Sequence, residues 1–325
     1  MMNKKNLLLF FTIFAALFVL AACGDKASDN KEKESTEKKT EEQSTSREIK
    51  HALGTTTIEG TPKRIVTLYQ GATDTILEFG VTPVGVVESW AQTPMYNYIK
   101  DDLKDVKFVG QETQPNLEEI AALKPDLIIA TQIRHEEIYE QLSQIAPTVV
   151  NTTLYDFKET ATVIGQALGQ EEQAKSLIGD WEARVADFKN KVASTNNWPL
   201  SAAVLNYRED HARIYVTGFA GSILNELGFK GPKDLQGENL EIVKLTDKEG
   251  IPQMNADVIF QFMEDNAAVK KTNEEWTAHP LYKNLDAVKN NQVYTVDEII
   301  WNFGGGLQAA NLMLDNLYEH FKLKK

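Results

Sequence analysis

The chain has 325 residues, with 47 acidic side chains against 34 Lys and Arg and a formal charge of -13. That balance excludes the basic footprint of a nucleic-acid binder. A lone cysteine, Cys23, excludes an intramolecular disulfide.

Lys4 and Lys5 precede an apolar run from Leu7 to Ala22, broken only by Thr12. The run is too short and wrongly flanked for a membrane span and reads as a signal peptide over 1–22. It ends in Leu20-Ala21-Ala22-Cys23-Gly24, which resembles the lipobox of bacterial lipoproteins and implies that Cys23 is lipidated and anchors the chain to the bilayer. A cleaved leader with a bystander cysteine is the plainer reading. Removing the leader takes away two positive charges and no negative one, so the formal charge falls from -13 to -15. Asp25 to Arg47 contains nothing aliphatic or aromatic larger than Ala, so it cannot offset its ordering entropy by burial. Residues 23–47 are therefore expected to be a lipidated cysteine and a flexible tether.

The first lobe is expected over 48–155. Arg64 to Gly80 reads as a buried strand turning into a short helix that Gly80 stops, and Val81 to Val87 as a second strand. Leu117–Leu123 then reads as a helix, Leu127–Ala130 as a strand, Glu136–Ser143 as a helix and Thr148–Val150 as a strand, a βα series that predicts a parallel sheet. Within an expected connector over 156–195, Glu171–Ser194 places Ala174, Leu177, Ile178, Trp181, Val185, Phe188 and Val192 on one helical face. A stiff interlobe helix follows. The second lobe, 196–325, restarts with strand Ala202–Tyr207, a turn through His211, strand Ile214–Val216, a helix ending near Gly228, strands Val258–Phe262 and Gln292–Val296, and a helix after Gly304-Gly-Gly.

One pattern occurs in both halves. Glu118 precedes Asp126 by eight residues, Glu249 precedes Asp257 by eight, and each Asp opens an apolar strand-type run. Two lobes of shared design are expected, with a ligand between them.

Pro62-Lys-Arg-Ile-Val, Asn116-Leu-Glu-Glu-Ile with Lys124-Pro-Asp-Leu-Ile-Ile, the single interlobe helix, and Leu281-Tyr-Lys-Asn-Leu-Asp-Ala-Val-Lys-Asn-Asn-Gln-Val-Tyr resemble the iron-siderophore substrate-binding lipoproteins of bacterial ABC importers across essentially the whole mature chain. The resemblance implies an α/β fold of two Rossmann-like lobes joined by one long helix, the helical-backbone class of periplasmic binding proteins. It implies a lipid-anchored monomer on the extracytoplasmic face of the cell membrane, in a Gram-positive bacterium, serving an ABC permease dimer with its ATPase. Ile65 to Asp74, Glu88-Ser-Trp and Asn206 to Tyr215 most resemble the binders of ferric citrate and of the citrate-based siderophore staphyloferrin A. Iron would be held by its chelator, with no cofactor and no protein metal site. In the family, residues matching Glu118 and Glu249 meet arginines on the two permease subunits. The plainer reading is two surface carboxylates favoured by helix dipoles.

In α/β sheets, ligands meet loops at the carboxyl ends of strands. That criterion selects Tyr69, Gln70, Trp90, Arg134, His135, Arg208, His211 and Trp301, with Arg213 a further candidate. A ferric hydroxycarboxylate presents anionic oxygens, which an Arg fork pairs at two points and a His can also meet. His211 aligns with a ligand-contacting His of the staphyloferrin-type binder. Each residue also has a bland reading: solvated arginines at strand ends, Arg213 bracing its strand, and Trp90 and Trp301 as core aromatics. Gln111-Glu112 stands where several family members carry Arg, and Trp301-Asn302-Phe303-Gly304 lacks an Arg cluster. Fewer cations favour ferric citrate over staphyloferrin A.

Enzyme readings lack support, because no nucleophile elbow, zinc helix, phosphate loop or cysteine pair is present. A zinc or manganese binder is the nearer rival. Only His135 and His211 of the five histidines fall where a cleft is expected, too few for an all-protein zinc site. An adhesion or scaffold lipoprotein would explain the anchor but not the paired lobes.

Overall fold

The computed structural model describes residues 46–194, 198–236 and 240–324. The leader, Cys23 and the tether to residue 45 lie outside the described residues. Ser46 and Arg47, which composition places in the tether, instead open a strand. The strands are β1 (Ser46–His51), β2 (Gly54–Glu59), β3 (Ile65–Thr67), β4 (Gly85–Glu88), β5 (Lys107–Gln111), β6 (Gln114–Pro115), β7 (Leu127–Thr131), β8 (Thr148–Asn151), β9 (Ala202–Tyr207), β10 (Ala212–Tyr215), β11 (Ile242–Leu245), β12 (Val258–Met263) and β13 (Val293–Thr295).

The first lobe is built on a six-stranded sheet of order β6-β5-β4-β3-β7-β8, parallel except for the β5–β6 pair. Its central strands β3 and β7 are buried at every position, and apolar except at Thr67 and Thr131, because both faces are covered. Ile65, Leu127 and Ile129 enter one core, whereas Val66, Ile128 and Ala130 enter another. The second strand begins at Gly85 rather than Val81. Pro83 has no N–H to give a sheet, and the first bond to β3 is made by Val84, whose N–H donates to the Ile65 carbonyl at 2.8 Å. The helix read over 136–143 is also broken, into Gln132–His135, a 3-10 turn Glu136–Ile138 and Tyr139–Ile145. The hairpin β1–β2 is a further element, held by Arg47, which donates to the carbonyls of Gly60, Gln166 and Ala167.

The second lobe has a five-stranded sheet of order β11-β10-β9-β12-β13. Here β9, β12 and β13 are parallel, while β10 runs antiparallel to both its neighbours. The hairpin through 208–211 causes the reversal: the Arg208 N–H donates to the His211 carbonyl at 2.9 Å, closing a turn too short for a crossover.

The two Glu/Asp patterns do one structural job twice. Asp126 accepts the N–H groups of Lys63 and Arg64, both at 2.8 Å, at the entry to β3. Asp257 accepts the N–H and hydroxyl of Ser201, both at 2.8 Å, at the entry to β9. Upstream, Asn116 and Asp247 each accept from the backbone N–H of the Glu that follows two residues later, Glu118 and Glu249. Each lobe thus has a capped turn carrying an exposed Glu, followed by an Asp that pins the neighbouring strand.

The long helix runs Glu171–Ala193 and divides its apolar face between the lobes. Ala174 packs into the first lobe's core, while Trp181, Val185, Phe188 and Val192 pack into the second's. At 23 residues it is about 35 Å long. The helix before it, Phe157–Leu168, buries Ala161, Ile164 and Ala167 in the first lobe's core. Gly169, at φ +69°, ends that helix in a left-handed conformation and lets the connector start in a new direction. Among the described residues, no helix is long and apolar enough to cross a membrane.

Candidate ligand-binding cleft

A cleft of about 1120 Å³ lies between the two sheets. Gln70, Trp90, Glu112 and Arg134 follow the carboxyl ends of β3, β4, β5 and β7, and Arg208, Glu264 and Glu298 follow those of β9, β12 and β13. Both lobes therefore offer the strand ends at which α/β sheets bind ligands.

On the first lobe, Glu112 organises the wall. Its side chain is 4% exposed, and it accepts from Arg134 Nε at 3.4 Å and from the Gln70 N–H at 3.2 Å. It also meets the Trp90 side chain. Burial pushes the Glu112 carboxyl upward, while the Gln70 N–H and Arg134 oppose the shift. The Arg134 guanidinium carbon lies 5.9 Å from the centre of the Trp90 ring, within cation–π range. Trp90 is 46% exposed, an apolar plate on the cleft wall. Gln70 is buried and its amide donates to the Glu88 carbonyl at 3.0 Å.

On the second lobe, Arg208 Nη2 lies 3.6 Å from Glu298, whose carboxyl is raised by burial and lowered again by Arg208. Arg208 Nε is buried without a hydrogen-bond partner. His211 is engaged on both sides. Arg213 Nε donates to its Nε2 at 2.9 Å, so the ring proton sits on Nδ1 and faces Asp210 Oδ1 at 2.5 Å. The imidazole thus orients Arg213 along the cleft wall.

Six of the sequence-selected residues, Gln70, Trp90, Arg134, Arg208, His211 and Arg213, come together here. Three do not line the cleft. Tyr69 is fully buried, its hydroxyl 3.0 Å from that of Thr160. His135 is fully buried, accepting the Thr131 N–H on Nδ1 and donating from Nε2 to the Glu112 carbonyl at 2.9 Å. Desolvation lowers its pKa to about 4, so it is a neutral strut. Trp301 is 1% exposed, packs its ring 4.6 Å from that of Phe260, and donates to Asn316 at 3.1 Å. It lies in a π-helical turn, Ile299–Phe303, closed by the Gly304 N–H on the Ile299 carbonyl at 2.7 Å. The wider turn sends the indole into the core and leaves Asn302 and Phe303 on the cleft wall.

Glu112 and Glu298 were not selected from sequence. A signal existed for Glu112 in the departure from Arg at that position, but a carboxylate there read only as a missing cation. Glu118 and Glu249 are both exposed and absent from this cleft. Among the described residues, no group of three or more His, Cys, Asp or Glu could hold a metal ion.

Two α/β lobes bridged by one long helix, with strand ends facing each other across a cleft, define a solute-binding protein. The chain belongs to the periplasmic binding protein family, which matches residues 65–300. It is 41% identical to the "Probable siderophore-binding lipoprotein YfiY" of Bacillus subtilis over 98% of both chains. It is 42% identical to the achromobactin-binding periplasmic protein of Dickeya dadantii, over 79% of this chain and 85% of that one. The Fe(3+)-citrate-binding protein YfmC of Bacillus subtilis is 29% identical over 95% of this chain and 94% of its own. Among solved structures, Staphylococcus aureus SirA complexed with staphyloferrin B is 53% identical, with a TM-score of 0.82 over 85% of this chain and 99% of that one.

Proposed function

We propose that this protein is the lipid-anchored receptor of an ABC importer, capturing a ferric carboxylate-siderophore complex outside the cell and delivering it to a membrane permease with its ATPase. The observation that carries this reading is the pair of guanidiniums, Arg134 and Arg208, presented by opposite lobes at strand ends in one cleft. Each keeps N–H groups free of its carboxylate partner to meet anionic oxygens. The iron would remain in its chelator. Cys23 would supply the anchor, and Glu118 and Glu249, one per lobe, the contacts to two permease subunits.

Fewer cations in the cleft favour ferric citrate, the simplest ligand of the class. The names of the relatives at higher identity, which bind staphyloferrin B and achromobactin, favour a larger carboxylate siderophore, and the ferric citrate relative is more distant. The reading adopted is therefore a ferric carboxylate siderophore of staphyloferrin type, with ferric citrate as the alternative. Native mass spectrometry of the chain lacking residues 1–45, against ferric citrate, ferric staphyloferrin B, zinc and manganese, would separate these. A mass gain with an intact ferric chelate supports the reading. Binding of bare zinc or manganese with no ferric chelate would overturn it.

A further inference from the structure

The cleft wall carries seven carboxylates against three guanidiniums. For a site read as holding an anionic chelate, that surplus is unexpected, and two of the carboxylates are seated on the arginines of the clamp. Glu112 lies against Arg134 Nε at 3.4 Å, and Glu298 against Arg208 Nη2 at 3.6 Å. Neither is a mobile surface group: their side chains are 4% and 12% exposed. Glu112 is further held by the Gln70 N–H, with the His135 ring on its backbone carbonyl, and Glu298 by Asn206 at 3.4 Å.

We propose that Glu112 and Glu298 set the charge selectivity of the cleft, so that it prefers ferric carboxylate complexes of low net negative charge to polyanionic ones. This rests on the ferric-carboxylate reading given above.

A guanidinium with a fixed carboxylate on one edge presents the ligand with directed N–H donors, but its field at longer range is largely cancelled. Hydrogen bonds to the ligand depend on how many oxygens reach those donors. Repulsion from Glu112 and Glu298 instead grows with every unit of ligand charge, in a cleft where burial weakens solvent screening. A ligand of equal shape and donor set but lower charge keeps the bonds and escapes part of the repulsion. Selectivity against a competitor is then built by a repulsive element, as specific sites commonly do. The groups facing Glu112 are Arg134, the Trp90 side chain, the Gln70 N–H and the hydroxyls of Tyr69 and Tyr96. Those facing Glu298 are Arg208, Asn206, Asn302, Glu264, Asp297 and the Tyr96 hydroxyl. Both carboxyls are displaced upward by burial, so acidification neutralises them earlier than exposed carboxylates and relaxes the preference.

The test compares ferric complexes of citrate and of its terminal monoamide, which differ by one charge per ligand. The readout is the ratio of their dissociation constants, followed by tryptophan fluorescence. Wild type should favour the monoamide complex, and Glu298→Gln and Glu112→Gln should each shrink that ratio by about tenfold, the scale of one like-charge contact in a partly desolvated site. A merely structural role would weaken both complexes alike and leave the ratio fixed. Because Glu112 is the more buried, Glu298→Gln keeps the test open if the other variant does not fold. Binding of both complexes with an unaltered ratio in Glu298→Gln would overturn the inference and spare the ferric-carboxylate reading. Failure of wild type to bind either complex while it still binds ferric staphyloferrin B would overturn the inference, and failure to bind all three would overturn the reading itself.

Discussion

Asp74, on the first lobe's helix Gln70–Leu77, accepts a hydrogen bond of 2.7 Å from the backbone N–H of Gln308, at the start of the second lobe's helix Leu307–His320. The same carboxyl accepts from the Ala309 N–H at 3.0 Å and from the Tyr98 hydroxyl at 2.7 Å. Thr75 accepts the Leu307 N–H at 3.1 Å. One lobe therefore caps a helix of the other, and Gly306 must be Gly, because a Cβ there would sit 2.2 Å from the Asp74 carboxylate.

This junction predicts a pH-dependent stability. Burial raises the Asp74 pKa to about 7 against three hydrogen bonds that lower it. The unfolded chain titrates near the ordinary value of 3.8, so between the two values the folded state keeps a proton that the unfolded state has lost. Stability contributed by this group is full below 3.8 and is lost as pH rises through 7. Melting temperatures of wild type and Asp74→Asn should show wild type gaining on the variant as pH falls from 7.5 to 5. A constant difference across that range would remove Asp74 as the titrating group. Asp74→Ala should lose about 1–3 kcal/mol at pH 7.5, and more as the pH falls, because helix N–H groups are left buried without an acceptor and the variant lacks the titrating carboxyl.

Lobe closure should be small. The connector Glu171–Ala193 is continuous and its apolar face is buried in both cores, and the Asp74 junction adds a second attachment that a wide hinge motion would have to break. Small-angle scattering with and without a bound ferric chelate should give radii of gyration that agree within error. A clear fall on binding would refute this.

Arg134→Ala and Arg208→Ala should each weaken ferric-chelate binding by roughly 2–4 kcal/mol, since truncation leaves ligand oxygens desolvated and unpaired and strands the carboxylate that each arginine faces. Tryptophan quenching reports it, with Trp90 stacked beside Arg134 as a local probe. Affinity unchanged in both variants would place the ligand elsewhere.

Glu118 and Glu249 should separate transport from binding. Each is exposed on a capped turn, one per lobe, and neither lines the ligand cleft. The double variant Glu118→Ala, Glu249→Ala should bind ferric chelate normally while uptake of iron-55 by cells falls sharply, because two partner cations lose their carboxylates. Normal uptake would reduce both residues to helix-end charges. Loss of binding would move them into the cleft.

The buried strands were legible in the linear chain because a parallel sheet covered on both faces demands nearly continuous apolar runs, and Ile65–Thr67, Leu127–Thr131 and Ala202–Tyr207 are such runs apart from Thr67, Thr131 and Asn206. The connector was equally legible, since a long amphipathic face has a period that no other element shares. So was the eight-residue Glu-to-Asp spacing, which follows from a capped turn leading into a pinned strand. Which side chains face the cleft was decided in three dimensions. Trp301 and His135 occupy strand ends, as the rule for α/β sites requires, but a π-helical turn rotates one into the core and two backbone partners enclose the other. Glu112 and Glu298 look in the chain like charges that oppose an anionic ligand. Only the sheet orders β5-β4-β3-β7 and β9-β12-β13, which gather those strand ends on one side, set them against Arg134 and Arg208, because the surroundings of a side chain at a strand end depend on neighbours distant in sequence.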